Sequence, residues 1–123
     1  MTEAEVIESL NLHAANSMDA YAIFVTFTFG YLTVAFFAGN RLSMTQVLIV
    51  SMLYVASALV FSIVSLLHLE SLEVLVSNYP EFAHSIWWRF PWSTTCYFLN
   101  IGGILASLYF MFEIRRRGDG AEN

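Results

Sequence analysis

Three long apolar runs constrain this chain more than anything else in it. AYAIFVTFTFGYLTVAFFAG (20–39), TQVLIVSMLYVASALVFSIVSLL (45–67) and TTCYFLNIGGILASLYFMF (94–112) contain no Asp, Glu, Lys or Arg. Each is close to the ~20 residues a helix needs to cross the hydrocarbon of a bilayer. Inside lipid every backbone N–H and C=O must find its partner within the segment, so each run is predicted to be a helix. Composition agrees: 58% of residues are hydrophobic and 12% charged, where soluble domains carry about a quarter charged. The net charge of −5 and the absence of lysine exclude nucleic acid as a partner.

The ends of these helices are marked. Thr2 with Glu5 fits a capping box, and Val6, Ile7, Leu10, Ala14 and Met18 then recur at helical spacing. With no Pro or Gly before Gly30, this amphipathic stretch is expected to run unbroken into the first span. Gly39-Asn40 stops that helix, and Ser43 with Gln46 caps the next, Leu42 and Val47 forming its hydrophobic staple. So short a connection predicts a hairpin of the first two spans. Leu69, Leu72, Leu75 and Val76 carry the second helix on to about residue 77, before Asn78-Tyr79-Pro80 ends it. The N-terminal helix and this extension are expected to pack together through Val6, Ile7 and Leu10 against Leu69, Leu72 and Val76.

The expected fold is an all-α integral membrane protein in a single domain, 1–123. Three transmembrane helices form an antiparallel bundle, the first two extended beyond the outer membrane face, with a short interfacial helix before the third. The segments are an outer amphipathic helix 3–19, spans at 20–39, 45–67 (extended to 77) and 94–112, an interfacial segment 80–92 and a cytoplasmic tail 113–123, read as a flexible end. Arg41 in the first loop and Arg115, Arg116 and Arg117 after the third span set the orientation. By the positive-inside rule those ends are cytoplasmic and the N-terminus is outside. The other side has only Arg89 against seven acidic residues, Glu3 to Glu81. The acidic N-terminal stretch lacks the basic region of a cleavable signal, and an inner (cytoplasmic) membrane location is expected. Trp87, Trp88 and Trp92, within SIWWRFPW, suit a belt at the lipid–water boundary.

Polar groups within the spans are few. A small or polar stripe runs along each: Asp19, Ala22, Thr26, Gly30 and Thr33 on the first; Ser51, Ala58, Ser62 and Ser65 on the second; Cys96, Asn100, Gly103 and Ser107 on the third. Such spacings hold residues on one helical face, and membrane helices approach each other through small residues. Gly30, Ala58, Gly103 and Ser107 are therefore expected packing positions. Asn100, the one strongly polar side chain deep in a span, should face protein, with Thr26, Ser62 or Ser65 as its partner.

Asp19, His68 and Cys96 fall at similar depth near the outer boundary, an arrangement that suits a metal ion or an activated thiol. His13, His84, Glu70 and Glu73 lie on the same side. None of these has the close spacing of a ligand motif, so no cofactor and no catalytic residue is expected. The lone Cys96 has no disulfide partner. Arg117-Gly118-Asp119 carries no weight in a cytoplasmic tail.

Three spans leave no cleft large enough to enclose a substrate. The reading is a non-catalytic accessory or scaffold subunit that works by helix packing, in contact with lipid and with a membrane-protein partner or further copies of itself. A homo-oligomeric pore is the alternative. The plan of three short spans, N-terminus out and basic C-terminal end in, resembles that of three-span phage holins. That resemblance is one of architecture, without a shared motif, and the long acidic outer helix departs from it. A metal or thiol site at the outer boundary is the third reading.

Overall fold

The computed structural model describes residues 1–82 and 90–121. It is all-helical, with α1 over Glu3–Ala38, α2 over Met44–Asn78, a single 3-10 turn at Pro80–Phe82 and α3 over Trp92–Ala121. All three α-helices are long and apolar enough to cross a membrane. With 36, 35 and 30 residues at ~1.5 Å of rise each they run about 45–54 Å. The hydrocarbon core of a bilayer is ~30 Å thick, so each is longer than the minimum a span needs.

Local chemistry sets the boundaries. Thr2 caps α1: its Oγ1 accepts from the Glu5 amide, while its own amide donates to the Glu5 carboxylate at 2.6 Å. That contact with the Thr2 amide, followed by the Thr2 side chain, holds the Glu5 carboxyl below the usual carboxylate range. Ser43 and Gln46 repeat the reciprocal arrangement at the start of α2. α2 ends where the Tyr79 amide donates to the Leu75 carbonyl, one residue before a proline that has no N–H to continue the ladder.

α1 packs chiefly against α2, and α3 touches both. The core they share is small: Phe24, Tyr31, Ala35, Val47, Tyr54, Ala58, Ile104 and Met111. Leu42, the expected staple residue, packs on this cluster, and Val47 is fully buried within it. Outside, the helices present large apolar side chains. Phe29, Phe37, Met52, Leu53, Phe98 and Tyr109 are all 65% or more exposed. A water-facing surface rarely carries so continuous an apolar face; hydrocarbon accommodates it without cost.

Nearer the N-terminus, Val6 and Leu72 are buried, while Ile7 is 43% exposed. Of the expected interfacial segment, residues 83–89, which include His84, Trp87 and Trp88, lie outside the described residues. Trp92 is the first residue of α3, its ring tilted against Phe90.

The C-terminal end differs most from expectation. Residues 113–121 are helical and continue α3 instead of forming a loose tail. Two causes are visible. Glu113 pairs with Arg116 and Arg117 at 2.9 and 3.0 Å, the i,i+3 and i,i+4 spacings that support a helix. The same stretch also lies over the α1–α2 turn. Arg115 donates to the Leu42 carbonyl, Gly39 abuts Ile114, and Gly118 abuts Asn40. At Gly118 a Cβ would collide with Asn40, so that close approach depends on the glycine, while at Gly39 it would collide with the Ala35 carbonyl and sit tightly, at 3.3 Å, against Ile114.

Candidate functional site

The polar groups of the bundle meet one another between helices. Going from the N-terminal end of α1 towards its C-terminal end, the first meeting is His13 with His68 on α2, Nδ1 to Nδ1 at 3.0 Å. Next, Ser17 and Ser65 bond reciprocally: each hydroxyl reaches the other residue's main-chain carbonyl at 3.1 Å, and the two hydroxyls are 3.1 Å apart. Thr28 then meets the Tyr54 hydroxyl at 3.1 Å, and the Tyr31 hydroxyl meets Ser51 at 2.8 Å. The rings of Tyr31 and Tyr54 stack with centroids 4.2 Å apart.

α3 joins through Asn100 and Ser93. Asn100, 1% exposed, donates its amide N–H to Ser62 at 2.6 Å. At the start of α3, the amide and hydroxyl of Ser93 both bond to Glu73 at 2.9–3.2 Å. Within a span, such a pair keeps a polar group from facing lipid, where an unpartnered one costs roughly several kcal/mol. Asn100 is only half provided for, since its Oδ1 is buried without a partner.

The faces named from sequence fall unequally on this arrangement. On α2, Ser51, Ala58, Ser62 and Ser65 are all buried. On α3, Asn100 and Ser107 are buried and Gly103 lies beneath Phe24, a Cβ there meeting the ring edge at 3.8 Å. On α1 the expected stripe turns outward. Asp19, Ala22, Thr26, Gly30 and Thr33 are exposed, and a Cβ on Gly30 would meet nothing within 4 Å. The buried face of α1 is instead Val6, Ser17, Ala20, Phe24, Tyr31 and Ala35.

The reason is that threonine and tyrosine handle their hydroxyls differently. Thr26 and Thr33 donate to their own helix, at Ala22 and Phe29, both at 2.8 Å. A threonine bonded in this way shows only its methyl outward and can face lipid. Tyr31 carries its hydroxyl beyond the helix surface and must find a partner across the interface. Asn100 therefore pairs with Ser62, and Thr26 takes no part. The signal that would have found the α1 face is the 3-4-4-3 spacing of Ser17, Ala20, Phe24, Thr28 and Tyr31, which mixes small and aromatic residues.

Asp19, His68 and Cys96 are not gathered into a metal site. Among the described residues no three His, Cys, Asp or Glu side chains are grouped to hold an ion. His68 has His13 as its partner, Asp19 is exposed and Cys96 is half-buried. Arg41 is exposed in the turn, Arg116 and Arg117 are exposed and paired with Glu113, and Arg115 holds the turn's carbonyl. No family model, no curated protein and no solved structure matches this chain.

Proposed function

We propose that this chain is a non-catalytic accessory or scaffold subunit of a membrane assembly, acting by helix packing. The observation that carries the reading is the division of its polar groups. Those inside the bundle are committed to one another across helix interfaces, as in Ser17–Ser65, Asn100–Ser62 and Tyr31–Ser51. What remains outward is apolar or small. On α1 the outward stripe Ala22, Thr26, Gly30 and Thr33 is shallow, and on α3 Gly102 and Ala106 are exposed at small-xxx-small spacing. Such faces let another helix come close in a membrane.

In this reading the bundle is antiparallel, supported by the order of the α1–α2 contacts, whose positions rise on one helix as they fall on the other. The N-terminal part of α1 and the last turns of α2 project beyond the outer face of an inner membrane, with the arginine-bearing ends in the cytoplasm. The homo-oligomeric pore remains the second reading because the same shallow faces fit a neighbouring copy of this chain as well as a different partner.

A photo-crosslinking residue at Thr26 or Gly30 tests both readings in native membranes. A stoichiometric adduct with one different membrane protein, lost in Gly30→Leu, is the accessory outcome. An adduct only with the chain itself, accompanied by ion leak from reconstituted vesicles, is the pore outcome. No adduct from either position refutes both.

A further inference from the structure

His13 and His68 face each other with Nδ1 atoms 3.0 Å apart and ring centroids 5.3 Å apart. The centroid separation is the N···N distance plus one ring radius at each end, so the two lone-pair axes lie nearly on one line. A line of that length holds one hydrogen, donated by one ring and accepted by the other. A metal ion bound at ~2.0–2.1 Å in a tetrahedral site needs axes that converge at an angle.

The pair can be followed proton by proton. When both rings are neutral, one proton sits on the bridging Nδ1 and the other on the outer Nε2 of the accepting ring. The first added proton goes to the bare Nε2 of the donating ring, and its Nδ1–H then makes a charge-assisted bond. The second has to go to the accepting Nδ1, which is already in use. Two N–H groups on two cationic rings would then point at each other, and the contact is lost. The closed pair therefore takes up one proton and the separated pair two. Because the open state binds more protons, acidification favours opening.

The surroundings restrict what opens. Ser17 and Ser65 bond reciprocally one turn deeper, while the α1 residues before His13 bury only Val6 among the described residues. The cleft beside the pair is lined by Met1, by Ser9 of α1 and by Glu70 and Ser71 of α2. The adjoining cleft, which Glu70 also lines, receives Tyr97 from α3. Glu70 is the carboxylate that shares this cleft with His13.

We propose that His13 and His68 form a proton-operated latch, which holds the N-terminal part of α1 on α2 until both rings are charged. The full chain, with Cys96→Ser, is placed in lipid nanodiscs with nitroxide labels at the exposed positions Ile7 and Val74. At pH 8 the label distance is narrowly distributed. At pH 5, the lower end of the ~5–8 range in which imidazole changes charge, it becomes longer and broader. Labels at Phe29 and Met52, also exposed and beyond the Ser17–Ser65 contact, keep one distance at both pH values.

His13→Gln with His68→Gln leaves a non-titrating pair able to hydrogen-bond, and its distance is the same at both pH values. If that double variant lacks the narrow pH 8 distribution, His68→Asn alone serves for the same comparison. A pH-independent distance in the parent protein overturns the latch, as does a pH response that persists without the histidines. Loss of the response in Glu70→Gln assigns it to the carboxylate and also overturns the latch.

Discussion

Ser17 on α1 and Ser65 on α2 each donate to the other's main-chain carbonyl at 3.1 Å, with their hydroxyls at the same separation. Both residues are almost fully buried, at 4% and 1% exposure. Two backbones can share bonds this way only where no larger side chain stands between them. Ser17→Cys with Ser65→Cys, in a Cys96→Ser background, should therefore oxidise to an intramolecular disulfide in native membranes, seen as a reducible shift in gel mobility. Absence of the disulfide under an oxidant that crosslinks a surface control would refute the pairing of these helices.

Size matters more than the hydroxyls at that contact. A side-chain hydrogen bond between membrane helices is worth about 0.6 kcal/mol on average. Ser17→Ala should lower thermal stability in detergent by an amount of that order. Ser17→Leu must instead separate the helices, and a larger loss, in the ~1–3 kcal/mol range of overpacked cores, is expected. Equal melting of the two variants would contradict the packing argument.

Gly103 and Asn100 make the same comparison on α3. Gly103→Ala places a methyl at 3.8 Å from the Phe24 ring, an ordinary contact, and should be tolerated. Gly103→Leu has to displace Phe24 and should be the most damaging of the three. Asn100→Leu loses the Ser62 bond but also removes the unpartnered Oδ1, so its net cost should be small. If Asn100→Leu melts far below Gly103→Leu, the amide has a role beyond packing.

The orientation proposed above is tested by fusions at the C-terminus. A fluorescent protein that matures only in the cytoplasm should glow there, and alkaline phosphatase should be inactive. The reverse pattern would invert every assignment of outer and inner ends.

The end of α3 has its own pH dependence. A hydrogen bond from Arg117, ahead of the contribution from Arg116, holds the Glu113 carboxyl below the ordinary carboxylate range. Its folded value is depressed, so the support it gives the helix is complete above the ordinary carboxylate value. That support is lost as pH falls through the lowered one. Backbone chemical shifts of 113–121 should lose helical character in that acidic window, and Glu113→Gln should remove the pH dependence. A helix end that is unchanged down to the lowest pH tested would show that Arg115 and Gly118 hold it alone.

The three helices were legible from the sequence because length, lack of charge and capping residues act locally. Thr2 with Glu5 and Ser43 with Gln46 form their caps as spacing predicts. The small and polar stripes on α2 and α3 coincide with buried faces, since Ser62, Ser65 and Asn100 have few ways to face lipid. On α1 the stripe faces outward, since Thr26 satisfies its hydroxyl within its own helix. Tyr31, which reads as an apolar aromatic, brings a polar group inward. The helical end at 113–121 was hidden for another reason: its support comes from Leu42 and Asn40, far away in sequence.

The α1–α2 contacts also have a common step. From Ser17 to Thr28 and from Thr28 to Tyr31, α1 advances by as many residues as α2 retreats from Ser65 to Tyr54 and from Tyr54 to Ser51. The two helices are thus indexed to each other like paired rulers. Substitutions leave such an index intact, but a deleted residue does not. Removing one residue between Ser17 and Thr28 turns everything beyond it by about 100°, since a turn holds ~3.6 residues. The Ser17 contact or the Tyr31 contact can then be kept, but not both. Deleting one matching residue between Tyr54 and Ser65 restores the spacing along the axes but turns the α2 face away as well, so this pair of helices should tolerate length changes only as matched losses of whole turns, about 7 residues from each helix.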